Sequence, residues 1–443
     1  MAASPLLDVY VNDRLVGTLG PTAGGAYTFT YLPDVPAASL VSLTMPVQLP
    51  SYTWTRGVPP FFLMNLPEGY KKDLLRTKLG PHAEVTDVGL LALTGNRTIG
   101  RVRVLPKGQG LEAIRNDLQM SSLLASPGSR EHLLRYLEAG IAEGVSGVMP
   151  KRLATKATAI VGEYIVKTGP AHLPGLAINE FLCLEVARKA RLRVPQATLS
   201  QDGEVLAVRR FDRRETGEWI GVEDFCALKG LDPVSKYRGS LEDLAKLMSV
   251  YVPQSLHAES AVQLFKLLLV NYALRNADAH LKNYAVTYTS ASDVALAPVY
   301  DLVTVTAYPD FQNEIPGLTL AGKKVWRIGK LLHQFGAVRL SLTASQMAAC
   351  VDEVSIAVAE TAPAVRHHAV AYPEFREIGK RMLNEWERGA LDIAPNVTAK
   401  ARVGERLRVS VGLSDETPVS KKKSRKKKNP YRNPDGAFSH KAR

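Results

Sequence analysis

Two neighbouring stretches, NADAHLKNYAV at residues 276–286 and LAPVYDLV at 296–303, decide how this chain is interpreted. Asp278 and Asn283 lie five positions apart in the first stretch, and Asp301 lies in the second. Phosphoryl transfer from Mg-ATP needs one carboxylate to act on the attacking hydroxyl, and an amide oxygen with a second carboxylate to hold magnesium. The two stretches therefore supply the groups that this chemistry requires.

The spacing D-x-x-x-x-N with a later aspartate matches the catalytic loop and the metal-binding aspartate of protein kinases. An alternative interpretation stays open, because Asp and Asn commonly cap helices and start turns. On that alternative, Asp278 ends the apolar helix that precedes it, and Asp301 is a turn residue.

Two upstream residues favour the kinase interpretation. Lys167 lies in the strand-like run YIVKTG (164–169), and Glu180 follows thirteen residues later near the start of a predicted helix, INEFLCLEVARKA (178–190). An ammonium at this place can reach the α and β phosphates, and a glutamate can hold that ammonium. The alternative is a solvated lysine and a glutamate that favours its helix N-terminus through the helix dipole.

The segment GVSGVMPK (144–151) precedes both residues. Gly144, Ser146 and Gly147 could present backbone amides to a phosphate, whereas the alternative is an ordinary turn.

Hydrophobic periodicity predicts a β-rich region that leads into a helical region, an α+β fold. Leu7, Val9 and Val11 alternate with polar residues before an Asn12-Asp13 turn, which predicts a meander or small barrel. FFLMNLPEGYKKDLLRTKL (61–79) changes to helical spacing, and long helices dominate beyond residue 240. The domain boundaries that we predict are 1–107 for the first unit, 108–213 for a β-rich nucleotide-binding lobe, 214–395 for a helical catalytic lobe, and 396–443 for a basic, disordered tail.

Most of the net charge comes from the end of the chain. The 443 residues include 56 Lys and Arg against 43 Asp and Glu, a formal net charge of +13. Ten basic side chains and one Asp give residues 421–443 a charge of +9, which leaves +4 for residues 1–420. The tail could meet nucleic acid through its phosphates, or it could be a solubilising extension.

Composition excludes several other classes of protein. A hydrophobic content of 46% excludes disorder throughout. Cys183, Cys226 and Cys350 show no C-x-x-C spacing, which argues against a disulfide framework or a structural zinc site and fits a reducing cytoplasm. No secretory leader or membrane span is expected from the apolar runs.

The motifs together resemble the HipA-like serine/threonine kinases of bacterial toxin-antitoxin systems. The resemblance covers residues 7 to about 390. It rests on these segments, which occur in the family's order: VYVNDRLVGTL, FFLMNLPEG, GRVRVLP, GVSGVMPK, YIVKTG, NEFLCLEVA, VRRFDRR, VEDFCALKG, NADAHLKNYAV and YDLV. It implies a protein-kinase-like bilobal fold with an added N-terminal subdomain.

The resemblance also implies a role for each matching residue. These roles are Lys167 on the ATP phosphates, Glu180 as its partner, Asp278 as catalytic base, Asn283 and Asp301 as magnesium ligands, His280 and Lys282 in the catalytic loop, and the backbone of Arg209 to Phe211 as the hinge that meets adenine. The bland alternatives are that Phe211 is a core residue, that His280 only hydrogen-bonds the loop backbone, and that Arg213 and Arg214 form a solvated turn or ion pairs.

In the family, the loop at 144–151 is mobile and is the site of inhibitory autophosphorylation. Family loops often carry Ser at the first and third positions and Gln after the Gly-Val pair, whereas this chain has Gly144, Ser146 and Met149. Ser146, beside Gly147, is therefore the one obvious acceptor.

The implied activity is transfer of the ATP γ-phosphate to Ser or Thr of a protein of the translation machinery, in several members an aminoacyl-tRNA synthetase. The implied partner is a helix-turn-helix antitoxin, with DNA contacted through it or through the basic tail. The competing class is a non-catalytic kinase-like regulator that binds an antitoxin and assists operator binding. A third option is a small-molecule kinase, because kinase-like folds serve those substrates too.

Overall fold

Three antiparallel sheets and a large helical region form the described part of the chain. A computed structural model describes residues 5–67, 75, 86–111, 118–142 and 157–411. The segment 144–151, with Ser146 and Gly147, and residues 412–443 lie outside the described residues, so the expectations for the phosphate loop and for the tail beyond 411 stay predictions.

A five-stranded sheet in the order β4-β3-β2-β1-β5 forms the N-terminal unit. Its elements are β1 Leu7–Val11, β2 Arg14–Pro21, β3 Tyr27–Tyr31, β4 Tyr52–Trp54, α1 Pro60–Leu63, α2 Asp87–Thr94 and β5 Val102–Pro106. Strands β1 to β4 follow one another as a meander, and β5 pairs with the outer edge of β1. The predicted meander is confirmed.

The first hairpin of this sheet turns where the sequence predicted it. Asn12 and Asp13 have positive φ values of 46° and 64°, a conformation that Asn and Asp tolerate better than most residues. The alternating Leu7, Val9 and Val11 are buried in the core of the unit.

The second sheet has the order β6-β7-β9-β8 and carries helices on both faces. Its strands and the flanking helices are α3 Met120–Ala125, α4 Ser129–Ala142, β6 Ala157–Val161, β7 Tyr164–Thr168, α5 Leu176–Lys189, β8 Ala197–Leu199 and β9 Val205–Arg209. Val166 packs toward α3 and α4. Lys167, the next residue, therefore lies on the opposite face, which is the face that α5 covers.

Helices dominate the remainder, around a small sheet in the order β10-β11-β12. The elements are β10 Gly221–Asp224, α6 Phe225–Leu228, α7 Leu241–Tyr251, α8 Gln254–Ala273, β11 Ala285–Tyr288, β12 Ala295–Leu296, α9 Gly329–Arg339, α10 Ala344–Ala371, α11 Arg376–Ile393 and α12 Val397–Val411. The second half of α8 is buried on nearly all sides. Phe265 on this helix and Trp386 on α11 are among the largest buried side chains of the core. The architecture confirms the α+β class.

Two local expectations differ from the structure. Helix α8 ends at Ala273, so Asp278 lies in the following loop rather than at the helix end, and Arg275 in that loop has a positive φ of 55°. Residues 397–411 form a helix, although the sequence placed them in a disordered tail that began at 396. Val403 and Leu407, one turn apart on this helix, are buried in the main core, which explains its order.

The N-terminal unit docks on the small β10-β11-β12 sheet through buried polar groups. Glu223 on β10 is fully buried and accepts hydrogen bonds from Ser42 Oγ (2.5 Å), the Leu43 backbone N–H (2.9 Å) and Tyr288 OH (3.2 Å). Burial raises the pKa of this carboxyl to about 7, against the lowering effect of those hydrogen bonds. A buried glutamate therefore ties three segments of the chain together.

A second anchor lies just after β9. Arg210 and Asp212 form a buried ion pair, with Arg210 Nε 2.9 Å from Asp212 Oδ1. Arg210 also donates to the Thr98 carbonyl (2.9 Å), and Gly100 N–H donates to Asp212 Oδ2 (2.6 Å). The segment after β9 is thus fixed to the N-terminal unit.

The three cysteines are buried and form no disulfide bond, as expected for small apolar side chains. Among the helices of the described ranges, none has the length and apolar character needed to cross a membrane.

Candidate active site

Lys167 is the centre of an ion-pair cluster that joins three separate elements. Its Nζ contacts Glu180 Oε1 and lies 3.0 Å from Asp301 Oδ1. The exposed fractions of the three side chains are 11% for Lys167, 2% for Glu180 and 30% for Asp301. The solvated alternative for Lys167 and the purely helix-dipole role for Glu180 are therefore wrong. The cluster therefore places a buried ammonium, paired with Glu180, next to a carboxylate that solvent can reach.

A neighbouring asparagine fixes the segment that carries Asp301. Asn179 is fully buried on α5, next to Glu180. Its Nδ2 donates to the Thr304 carbonyl (3.2 Å), and its Oδ1 accepts from the Thr304 N–H (2.9 Å). Trp386 Nε1 donates to Thr304 Oγ1 (2.7 Å). Helix α5 therefore positions both carboxylates around Lys167.

Asp278 lies in a loop that is held in place by hydrogen bonds of neighbouring polar side chains. Its backbone N–H donates to Asn276 Oδ1 (3.2 Å), and Asn276 Nδ2 donates to Asn271 Oδ1 on α8 (2.8 Å). Its carboxylate accepts a hydrogen bond from the phenol of Tyr237. Unlike Asn276, Asp278 is partly exposed, so a substrate hydroxyl can approach it.

Asn283 and Asp301 are brought together as the metal prediction requires. Asn283 Nδ2 donates to the carbonyls of Asp278 (3.2 Å) and Asp301 (3.5 Å), which orients its Oδ1 as the atom that a metal could bind. Asp301 has a positive φ of 57°, a conformation that Asp tolerates better than most residues. An amide oxygen and a carboxylate oxygen fit a magnesium site completed by phosphate oxygens. The described residues contain no cluster of three or more His, Cys, Asp or Glu that could hold a metal by themselves.

The loop around His280 and Lys282 links the site to the N-terminal unit. The His280 carbonyl accepts from the Asn283 N–H (2.9 Å), and Lys282 Nζ donates to the Met64 carbonyl (3.3 Å). Tyr300 OH donates to the Lys282 carbonyl (2.7 Å). Burial, with the charges of Asp224 and Asp301, raises the pKa of Tyr300 well above its usual value, so this phenol remains a donor.

The predicted hinge residues lie between the second sheet and the helical region. The Arg210 N–H donates to the Glu163 carbonyl (2.7 Å), which continues the pairing of β9 with β7. Phe211 is partly buried and stacks on Tyr300, with ring centroids 5.8 Å apart. The backbone of Arg209 to Phe211 therefore lies at the junction of the two lobes, beside the residue that precedes Asp301.

Arg213 and Arg214, which follow the predicted hinge, form ion pairs, and this was one of the alternatives that the sequence left open. Arg213 lies 3.5 Å from Glu163 and over the Trp219 ring, and Arg214 lies 3.0 Å from Glu218.

Three polar residues of the site were missed by the sequence interpretation: Tyr237, Asn179 and Tyr300. Asn179 and Tyr300 each lie directly beside a predicted site residue, Glu180 and Asp301, and this adjacency was the available signal. Tyr237 is 41 positions from Asp278, and nothing in its own segment indicated the contact.

Comparison with known proteins identifies the family of this chain. Residues 7–105 match the family model described as the HipA N-terminal domain, and residues 144–362 match the HipA-like C-terminal domain. A Sinorhizobium fredii protein named "Putative kinase Y4dM" is 29% identical over 57% of this chain, and the match spans 63% of that relative's length. The "Serine/threonine-protein kinase toxin HipA" of Shewanella oneidensis is 27% identical over 70% of this chain and 77% of its own.

A solved structure supports the fold. The HipA chain in the complex of HipA, HipB and operator DNA from Shewanella oneidensis superposes with a TM-score of 0.61 at 19% identity. The superposition covers 92% of this chain and 97% of that one. Both family domains are present in order, and the fold agrees over almost the whole length, so this chain belongs to the HipA-like family.

Proposed function

We propose that this chain is a Mg-ATP-dependent serine/threonine protein kinase. The observation that supports this most strongly is the Lys167 ammonium held between Glu180 and Asp301, from a strand, a helix and a loop. In protein kinases a strand lysine paired with a helix glutamate contacts the nucleotide phosphates, and a nearby aspartate holds magnesium.

The proposed transfer uses the groups of the described loops. Asp278 accepts the proton of a Ser or Thr hydroxyl while the hydroxyl oxygen bonds to the γ-phosphorus. The bond from that phosphorus to the β,γ-bridging oxygen breaks, and ADP leaves. Asn283 Oδ1 and the Asp301 carboxylate would hold magnesium, which neutralises phosphate charge when bound. Lys167 would stabilise the same charge.

We expect the nucleotide site to include the hinge and the glycine-containing loop, residues 144–151, which lie outside the described residues. We expect the backbone of Arg209 to Phe211 to meet adenine, because it lies at the lobe junction beside Tyr300. Ser146 and Gly147 would lie over the phosphates. A phosphate on Ser146 would add about −1.5 to −2 charges close to them, so autophosphorylation there would disfavour ATP.

The partners are inferred from the family. A relative named a serine/threonine-protein kinase toxin, and a structural neighbour solved with HipB and operator DNA, support a helix-turn-helix antitoxin as partner and DNA as an indirect one. A protein of the translation machinery is the proposed substrate, and the cytoplasm is the proposed location.

The test is incubation of the purified chain, alone and with a cell-free translation extract, with radiolabelled Mg-ATP. The variants are Lys167→Met and, as a matched control, Lys189→Met, whose exposed ammonium only meets the Glu360 carbonyl on the surface. We expect label on Ser or Thr with the wild type and Lys189→Met, and none with Lys167→Met. A wild type that binds ATP but labels nothing would contradict the proposal and favour the non-catalytic regulator.

A further inference from the structure

Tyr237 lies against the proposed catalytic base. Its phenol donates a hydrogen bond to Oδ1 of Asp278, 41 positions later in the chain. Tyr237 lies in the short connection between the 3-10 turn Pro233–Ser235 and helix α7. No nucleotide-binding motif includes this connection, so its approach to Asp278 is a product of the tertiary fold.

The Tyr237 ring is held on more than one side. The side chain is buried, with 6% of the residue exposed. His280 meets the ring edge-on, with centroids 5.0 Å apart and an interplanar angle of 85°. Lys236 Nζ lies 5.7 Å from the ring centroid, within reach of a cation-π interaction. The phenol oxygen therefore reaches Asp278 from a ring whose position is fixed by packing.

The backbone that carries Tyr237 is attached to the catalytic loop. The Leu281 N–H donates to the Lys236 carbonyl (3.1 Å). At Gly239, a Cβ atom would lie 2.8 Å from the Leu281 side chain, so glycine allows the two segments to approach closely. The Tyr237 segment and the loop around Asp278 therefore hold each other in register.

Given the kinase function proposed above, we infer that Tyr237 is a positioning residue for the catalytic base. The hydrogen bond to Oδ1 fixes the plane of the Asp278 carboxylate, so Oδ2 is the oxygen that acts on the substrate hydroxyl. Orientation of this kind is a large part of catalytic rate enhancement.

The test compares Tyr237→Phe with Tyr31→Phe. Tyr31 is an equally buried tyrosine (6% exposed) whose hydroxyl donates to the Met45 carbonyl (2.6 Å) in the N-terminal unit, so the control removes a similar hydrogen bond away from Asp278. The measurements are the initial rate of ADP formation from Mg-ATP, the Kd for ATP and the melting temperature.

We expect Tyr237→Phe to lower the rate about tenfold or more and to leave the Kd for ATP within a few-fold. Its melting temperature should stay close to that of Tyr31→Phe, so that the lower rate with unchanged ATP binding reports the orientation of Asp278. Tyr31→Phe should keep the wild-type rate.

A Tyr237→Phe protein with the wild-type rate, or a faster one, would overturn the positioning role while the kinase function stands. A slower rate that comes with weaker ATP binding and a lower melting temperature would also overturn it, since it would show a purely structural role. If the wild type forms no ADP, the kinase proposal falls, and this inference falls with it.

Discussion

The backbone N–H of Leu43 donates a 2.9 Å hydrogen bond to Oε2 of Glu223, 180 positions later in the chain. Ser42 Oγ donates to the other oxygen of the same carboxyl, so a buried titratable group attaches the N-terminal unit to the β10-β11-β12 sheet. Strand β10, which carries Glu223, pairs with β11, and β11 directly follows the loop 276–284. The Lys282 contact to Met64 therefore joins the same two parts of the chain.

This arrangement predicts that Glu223 makes stability depend on pH. Burial raises the pKa of its carboxyl from 4.5 to about 7. Because the pKa is higher in the folded state, the protonated carboxyl stabilises the fold, and this stabilisation is complete below pH 4.5. It is lost as the pH rises to 7. Relative to Glu223→Gln, the wild type should lose about 3 kcal/mol of unfolding free energy across that window.

Denaturant unfolding of both proteins from pH 4 to 8 measures this difference. Gln can keep the Leu43 and Tyr288 donors on its oxygen and donate to Ser42 Oγ, so the variant should fold. Glu218→Gln, at the exposed Arg214 ion pair, is the control and should follow the wild type. Parallel curves for wild type and Glu223→Gln would contradict the prediction.

The second prediction concerns Glu180. In Glu180→Gln, Lys167 loses one of its two carboxylate partners but keeps the one on Asp301. We expect ATP affinity to fall by about tenfold or more, because the ammonium loses its buried charge partner and is no longer directed at the phosphates. Calorimetric titration with Mg-ATP measures the Kd. Glu185→Gln is the control on the same helix, and equal Kd values for the two variants would refute the role of Glu180.

The third prediction is that Asp301→Asn removes the magnesium dependence of nucleotide binding. Asn tolerates the positive φ of 57° at this position, so the loss of charge is tested without a change of backbone. The Kd for ATP is measured with magnesium and with EDTA. Tighter binding in magnesium than in EDTA, retained at the wild-type ratio in the variant, would exclude Asp301 as a ligand.

A fourth prediction separates Asp278 from nucleotide binding. Asp278→Asn keeps an oxygen that can accept from Tyr237 but cannot take a proton from a substrate hydroxyl. Phosphoryl transfer should fall by roughly 10²- to 10⁴-fold, and the Kd for ATP should stay within a few-fold. Single-turnover transfer and equilibrium binding are measured on the same preparation. Loss of ATP binding together with transfer would assign Asp278 to the nucleotide site instead.

The fifth prediction concerns residues 421–443. Deleting them removes +9 of charge and should leave ATP turnover and the melting temperature unchanged. Binding to a double-stranded oligonucleotide should weaken, and the slope of log affinity against log salt should become flatter. A truncated protein with a lower melting temperature would show instead that the tail packs on the body.

Local periodicity was sufficient for several elements of this chain. Alternation at Leu7, Val9 and Val11 and the turn at Asn12 and Asp13 depend only on neighbouring residues, and both are present. Where the local hydrophobic pattern was incomplete, the predicted end of a helix or start of the tail was wrong. The apolar run at the end of α8 continues past Ala273, where the helix ends. Arg275 has a positive φ, which the sequence does not indicate because the residue is not glycine. Helix α12 was not predicted because its sequence is rich in charged residues and only a few positions, among them Val403 and Leu407, are buried in the core.

The sequence by itself determined which residues could do chemistry, since the order Lys167, Glu180, Asp278, Asn283 and Asp301 is readable from residue type and spacing. Only the tertiary structure decided how these groups meet: Lys167 and Asp301 are 134 positions apart, and Asn179 reaches Thr304 across 125. Tyr237 and Glu223 acquired their environments in the same way. Such contacts depend on how sheets and helices pack, which is a property of the whole core, whereas spacing within a strand, helix or loop depends on a few neighbouring residues.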